Sequence, residues 1–464
     1  MSSPSRSIPR LLCALALACA APASAQHFPP DDVVQSIIDD RVAGGGAVGI
    51  AVGLLEADGS MRVLTSGSAG EGGPALDSQT LFEIGSITKV FTGILLADMV
   101  RRGEVGLDDP VGMYLPDGVT APSRGGQEIT LEDLATHRSG LPRLPTNMRP
   151  ADPTNPYVDY TPELLYAFLS GHELTRDIGS QVEYSNLGVG LLGFVLSSHL
   201  GMSYEEAVHE RILEPLGMDL TGLELRGPMA ALMAKGHDPG GAVVPLWDIT
   251  TLAGAGGIRS NVDDMLRFME ANVGEPTSDL ERAMREAHEP REAMGGPNQV
   301  GLNWITRTGD ASRIVWHNGG TAGFRTFAGF DPDAEAAVVV LTNSGVGADD
   351  IGLHLLDRSI PLTAPALPEF ALREAVEVAP DVLERYVGVY QLAPGMEAQV
   401  ALEDGQLRTQ LTGQPWVDLY PASETLFFIR VVAAELDFQV DADGTVGSFV
   451  LHQNGQSIPA RKIR

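Results

Sequence analysis

Cysteine is nearly missing from this chain of 464 residues: there are two, Cys13 and Cys19, both close to the N-terminus. Everything beyond them therefore lacks disulfides, thiol nucleophiles and thiolate metal sites. Positive charge is scarce as well, with 31 Lys and Arg against 61 Asp and Glu and a net charge of −30. A field of that sign repels nucleic acid and anionic membrane surfaces, so neither is an expected partner. Beyond the leader described below, no apolar run reaches the length needed to span a bilayer. His-Glu-x-x-His does not occur and the 10 histidines are scattered, which argues against a metal site. Gly-x-Ser-x-Gly does not occur either, which argues against the nucleophile elbow of an α/β-hydrolase. Gly44-x-Gly46-x-x-Gly49 follows a helix and precedes a strand, the reverse of what phosphate binding needs. Gly188-x-Gly190-x-x-Gly193 has no leading strand, and its small residues are expected to serve close helix packing. No cofactor is called for.

The N-terminus has the makings of a cleavable export signal. Arg6 and Arg10 form a basic start, LLCALALACA (11–20) an apolar core too short to span, and Ala23-Ser24-Ala25 a cleavage site. Ala16 is a poor start for a lipobox around Cys19. Removing residues 1–25 takes away two arginines and no acid, moving the net charge from −30 to −32. The expected location is periplasmic or secreted, which the leader does not separate.

The remainder divides by texture. Residues 26–360 open with an amphipathic helix (31–43) and a hairpin around Ala57-Asp58-Gly59-Ser60 (47–70). A nearly all-apolar helix from Ser86 to Arg102 follows, and its greasiness on every side marks it as buried. Loops and further helices come next, and from about residue 300 short strands take over. The pattern predicts an α/β architecture: an antiparallel sheet built from both ends of the segment, flanked by helices, with a helical insertion. PLTAPALPEF begins a linker (361–374). Residues 375–464 then alternate short strands with Gly and Asp turns, as a small antiparallel β-barrel would.

Scarcity makes one lysine conspicuous. Only Lys89, Lys235 and Lys462 are lysines, and Lys89 sits in the apolar stretch FEIGSITKVFTGILL (82–96). Arginine would carry the same charge but could not lose its proton. On a helix Ser86 and Lys89 are i and i+3 and share a face. Ile84, Ile87, Val90 and Phe91 would desolvate the amine and lower its pKa from the usual value of about 10.4. A neutral amine beside a hydroxyl makes an activated nucleophile, placed here where a helix N-terminus favours negative charge. Ser-x-x-Lys alone is a weak signal, because short pairs of this kind arise by chance.

Two further stretches strengthen it. EYSNLGVGLLG (183–193) places Tyr184 and Asn186 before an apolar helix, and WHNGGTAGF (316–324) places His317, Gly319 and Gly320 on a strand. Taken with Ser-x-x-Lys, these resemble the serine β-lactamase and penicillin-binding-protein superfamily, in its class C-like branch with DD-peptidases, D-aminopeptidases and esterases. LEDLATHRSGLP (131–142), ILEPLGMDLT (212–221) and AGAGGIRSNVDDMLRFM (253–269) add to the likeness, which covers about residues 30–355. The resemblance implies that Ser86 is acylated and that Lys89 is its proton partner. It implies that Tyr184 is a general base, as a phenolate stabilised by Lys89, and then the acid to the leaving group. Asn186 would hold Lys89 and bind a substrate amide, and the N–H groups of Ser86 and Gly320 would form an oxyanion hole. His317 stands where the β-lactamases usually have lysine, which weakens attraction for a substrate carboxylate and puts efficient β-lactam hydrolysis in doubt. Arg325 is a candidate carboxylate contact, or else one half of a surface salt bridge. His137 is expected to be structural rather than catalytic. The implied substrate is a D-amino-acid peptide, a β-lactam or an ester, and the implied protein a serine hydrolase; a promiscuous carboxylesterase and a non-catalytic penicillin-binding sensor are the alternatives. The sequence leaves the oligomeric state open.

Overall fold

The computed structural model describes residues 26–464 apart from 71, 310–311, 364–372, 394–395, 404, 413–415, 431–433, 442 and 454–455. The leader and most of the linker thus lie outside the described residues.

The principal sheet has eight antiparallel strands. From one edge they run Met61–Gly67, Gly49–Leu55, Ala336–Thr342, Arg325–Asp331, Arg313–Gly320, Ile305–Thr308, Asn298–Val300 and Glu292–Gly295. The N-terminal hairpin therefore pairs with the late strands, with Val52 opposite Val340, and the sheet expected from both ends of the segment is observed. Ala336–Thr342 is buried at every position because both faces of the sheet are covered, which is why it is a continuous apolar run rather than an alternating one. Val338 and Val340 join Val34, Ile38, Ile351 and Leu355 on one face. Val339 and Leu341 join the larger core on the other, with Phe91, Ile94, Met265 and Phe268.

Within that larger core lies the helix Thr88–Arg101, whose side chains are buried from Thr88 through Met99. It packs beside the helix Asn186–His199 and the short turn Ala253–Ala255. Glycine permits this closeness: a β-carbon at Gly193 would come within 3.0 Å of the Gly254 Cα, and one at Gly190 within 2.8 Å of Leu252. The glycines of 188–193 serve packing, as expected. No single helix among the described residues is long and apolar enough to cross a membrane.

The C-terminal segment forms a separate nine-stranded antiparallel sheet. Its first and last strands, Trp416–Asp418 and Tyr420–Pro421, are joined through Leu419 alone, so its edges meet and the sheet is nearly closed. Tyr386, Tyr390, Phe427, Phe438 and Phe449 fill it.

The Gly193–Gly254 contact carries a test. Gly193→Val should force the helix off the 253–255 turn and destabilise the protein by roughly 1–3 kcal/mol. The expected reading is a lower thermal midpoint and weaker activity together.

Candidate active site

The chain reaches Ser86 through a short strand, Phe82–Glu83, paired with Arg259–Ser260. Glu83 is buried, and its carboxylate accepts the Trp247 N–H at 2.7 Å. Burial raises its pKa, with Arg259 3.7 Å away opposing the shift. Ser86 itself lies in a 3₁₀ turn, Gly85–Ile87, and the α-helix proper begins at Thr88. The serine therefore sits just ahead of the helix expected to carry it, still three residues before Lys89.

Segment 253–260 is bolted to this region at successive points. The Ile84 N–H donates to Ile258 O at 3.1 Å, the Ile258 N–H donates to Thr88 Oγ1 at 3.1 Å, and Thr92 Oγ1 donates to Gly254 O at 2.8 Å. Lys89 Nζ completes the row, 2.6 Å from Ala255 O and 3.0 Å from Ser86 Oγ. The amine has no exposed surface. That burial, with Arg143 adding like charge, holds its pKa well below the ordinary lysine value. A neutral amine that donates to the carbonyl can turn its lone pair to the serine, and the distances to both partners allow it to act as a general base.

Tyr184 comes from the loop before the helix Asn186–His199. Ser185 caps that helix, accepting the Gly188 N–H at 2.9 Å while donating to Pro142 O at 2.7 Å. Lys89 Nζ lies 4.9 Å from the Tyr184 ring centre, and the phenol hydrogen-bonds Ser86. Burial pushes the phenol up to about 12, with the Ser86 bond opposing it. The phenolate implied by the resemblance is thus not the resting form. Burial penalises an ammonium and a phenolate alike, so amine and phenol is the favoured arrangement of the same protons.

Asn186 was expected to hold Lys89, but the amine's second bond goes to the Ala255 carbonyl. The Asn186 carboxamide instead meets Tyr157, which rests on Trp247 with ring centres 5.4 Å apart. Asn186 Oδ1 is buried with no partner among the described residues.

The strand Arg313–Gly320 brings the third stretch. Gly319 is required there, since any β-carbon would collide with the Ile84 carbonyl. Gly85, at φ 52°, is pressed as closely, because a β-carbon would lie 2.6 Å from Gly320 N. This contact sets Gly320, which is exposed, beside the turn carrying Ser86. His317 is buried, and its Nδ1 lies 2.6 Å from Asn318 O. The ring proton is therefore on Nδ1, leaving Nε2 a lone pair with no partner among the described residues. Burial lowers this imidazole to about 3, so it is neutral. Arg325 donates to the carbonyls of Thr321 and Phe324 at 2.5 and 2.8 Å. It forms no ion pair within 4.0 Å among the described residues, so the alternative of a surface salt bridge does not hold. Arg143, exposed and 5.2 Å from the Tyr184 ring centre, is a second cation at the mouth.

All seven singled-out residues converge on one place. What the sequence did not yield were Ala255, Tyr157, Arg143 and the part played by His137. The small-residue run 253–257 is the one trace of Ala255, whose contribution is a backbone carbonyl.

Residues 34–360 match the family described as Beta-lactamase. The chain belongs to that family. This β-lactamase-family serine hydrolase is 31% identical over 390 residues to the D-alanyl-D-alanine-carboxypeptidase/endopeptidase AmpH of Escherichia coli (strain K12), covering 77% of the chain and 97% of the relative. It is 27% identical over 426 residues to penicillin-binding protein 4* of Bacillus subtilis (strain 168), covering 84% and 89%. A solved β-lactamase/D-alanine carboxypeptidase from Pseudomonas syringae shares the fold, with a TM-score of 0.60 at 23% identity over 68% of the chain and 94% of that structure. Residues 372–461 match a domain of unknown function (DUF3471).

The protonation states predict a pH profile. kcat/KM should fall on acidification as the Lys89 amine gains its proton, and fall again only near pH 12 as Tyr184 ionises. With His317 held near 3, no histidine inflection should appear between about pH 5 and 8. Lys89→Arg, which cannot lose its proton, should cut the acylation rate by ~10²–10⁴-fold in single-turnover kinetics.

Proposed function

We propose that this enzyme is exported and hydrolyses D-amino-acid peptides of the D-alanyl carboxypeptidase type through an acyl-serine intermediate. The observation that carries the reading is the water-excluded Lys89 amine 3.0 Å from Ser86 Oγ. In the first half-reaction Ser86 Oγ attacks the carbonyl as its proton passes to Lys89. The N–H groups of Ser86 and Gly320 receive the developing oxyanion. Tyr184, protonated and bonded to Ser86, hands a proton to the leaving amine and is replenished from Lys89. Asn186 offers its unpartnered oxygen to a substrate N–H. Water then releases the acyl group by the reverse relay. The leader in residues 1–25 supports export, and the named activities of the relatives support the peptide class.

A second reading, a promiscuous esterase, has one observation in its favour. His317 is uncharged, so among the described residues the cations flanking the site are the arginines Arg143 and Arg325, and a substrate without a carboxylate loses little there.

A panel of D-alanyl peptides, a chromogenic cephalosporin and a short-chain nitrophenyl ester, run on wild type and Ser86→Ala, tests both. D-alanyl peptides should be cleaved most efficiently and the cephalosporin poorly, with all turnover abolished in Ser86→Ala. Turnover unchanged in that variant overturns the mechanism; ester cleavage without peptide cleavage selects the second reading.

A further inference from the structure

His137 is strained, buried and neutral, and it grips the residues around Tyr184. Its φ is 60°, a left-handed conformation that residues other than glycine seldom adopt. Its main-chain carbonyl accepts the Glu183 N–H at 2.9 Å, and its Nδ1 accepts the Ser185 N–H at 3.2 Å. Its ring lies against the Tyr184 ring, centres 4.6 Å apart and planes tilted by 33°. One residue thus fixes the amide before the tyrosine, the amide after it and the face of the tyrosine ring. Because a backbone N–H can only donate, the Ser185 bond places the imidazole proton on Nε2. Neighbouring strands of backbone extend the grip, with Gly179 N–H donating to Arg138 O at 2.9 Å and Leu187 N–H to Arg143 O at 3.1 Å.

An ordinary structural histidine needs none of this. A carbonyl acceptor for Glu183 could come from any residue, and a left-handed position at low cost from glycine or asparagine. What histidine adds is an acceptor that is itself part of a flat ring, which lets one side chain hold Ser185 and the Tyr184 ring together. The charged and titratable groups acting on it are Lys89, His317 and Arg143, and burial keeps it uncharged beside them. An imidazolium could not accept the Ser185 N–H, so neutrality is a condition of the geometry.

We propose that His137 is a positioning residue, setting the Tyr184 hydroxyl in line to deliver its proton to the leaving group as Ser86 is acylated, without itself touching substrate. The inference rests on the assignment of Tyr184 to that transfer. Displacing a proton donor by about 1 Å can cost on the order of 10²-fold in rate.

The test is a double-mutant cycle with His137→Asn, His137→Gly and Tyr184→Phe. Asparagine and glycine both accept a left-handed φ, and asparagine retains an acceptor for Ser185, so folding should survive in at least one; circular dichroism and the thermal midpoint check it. Acylation of Ser86, followed by quenching and mass spectrometry with the best substrate from the panel, measures even slow variants. With Tyr184 present, each His137 substitution should lower the acylation rate by about 10²-fold with KM within about twofold. With Tyr184→Phe the same substitution should change the rate by less than about twofold, since the group being positioned is gone. Equal losses in both backgrounds, or rates near wild type in a folded variant, overturn the positioning role. Tyr184→Phe alone at wild-type rate would instead overturn the assignment of the tyrosine, which keeps the two failures apart.

Discussion

A primary amine with no solvent-exposed surface is the constraint on which the rest of this structure depends. Moving an ammonium out of water costs several kcal/mol even after the protein relaxes. Lys89 has one carbonyl, one hydroxyl and one aromatic face near it, and no carboxylate pairs with it among the described residues. The cheaper solution is to release the proton, which Arg143 encourages from outside. An arginine in the same hole would keep its charge, which is the physical reason this arginine-rich chain has a lysine here.

Keeping the amine dry requires backbones to approach more closely than side chains allow. Three segments remote in sequence meet around Ser86: the turn 85–87, the run 253–258 and the end of the strand Arg313–Gly320. The tightest approaches fall on glycine, as at Gly85 against Gly320 and Gly319 against Ile84, and the run is held to the helix Asn186–His199 by Gly254 against Gly193. The eight-stranded sheet makes such contacts repeatable by fixing the strand that carries Gly319 between two neighbours, in register with Thr326. Thr326 Oγ1 then donates to Ile84 O at 2.9 Å, tying that strand to the segment leading into Ser86. The placement of Ser86 is therefore a property of sheet register and glycine placement as much as of its side-chain neighbours.

The sequence was legible where a physical requirement shows in residue type. A lone lysine in a greasy helix and short strands between turns are requirements of that kind, and the fold class those elements predict is observed. Tyr184, Asn186, His317, Gly319 and Gly320 came through resemblance, because nothing local in Tyr-Ser-Asn or His-Asn-Gly says what faces them across the fold. Ala255 acts through a carbonyl and Tyr157 from a loop, and neither carries a motif. His137 was read as structural because a single histidine in a loop gives no hint of its φ, which is decided by tertiary contacts. The resting phenolate and the Asn186–Lys89 bond failed for separate reasons: burial raises the Tyr184 phenol, and the Lys89 amine turns to the Ala255 carbonyl while the Asn186 carboxamide meets Tyr157.

That neutrality bears on how the hydrolase divides labour between its two sides. Under the proposed mechanism, the buried amine and phenol on the Ser86 side form an uncharged proton relay whose members exchange protons without building up net charge. On the Gly320 side the Arg325 guanidinium is half-buried, anchored to two carbonyls and kept ionised by its intrinsic basicity even though burial lowers it. A fixed cation near the place where negative charge must develop costs nothing to reorganise when the reaction occurs, whereas a cation in the relay would compete for the serine proton. Neutral His317 in place of the lysine usual in β-lactamases fits the same division, since a buried ammonium at that position would have to be paired or neutralised in turn. Under the proposed mechanism, the remaining charges, Arg143 and Arg325, flank the reacting centre while the proton relay itself stays uncharged.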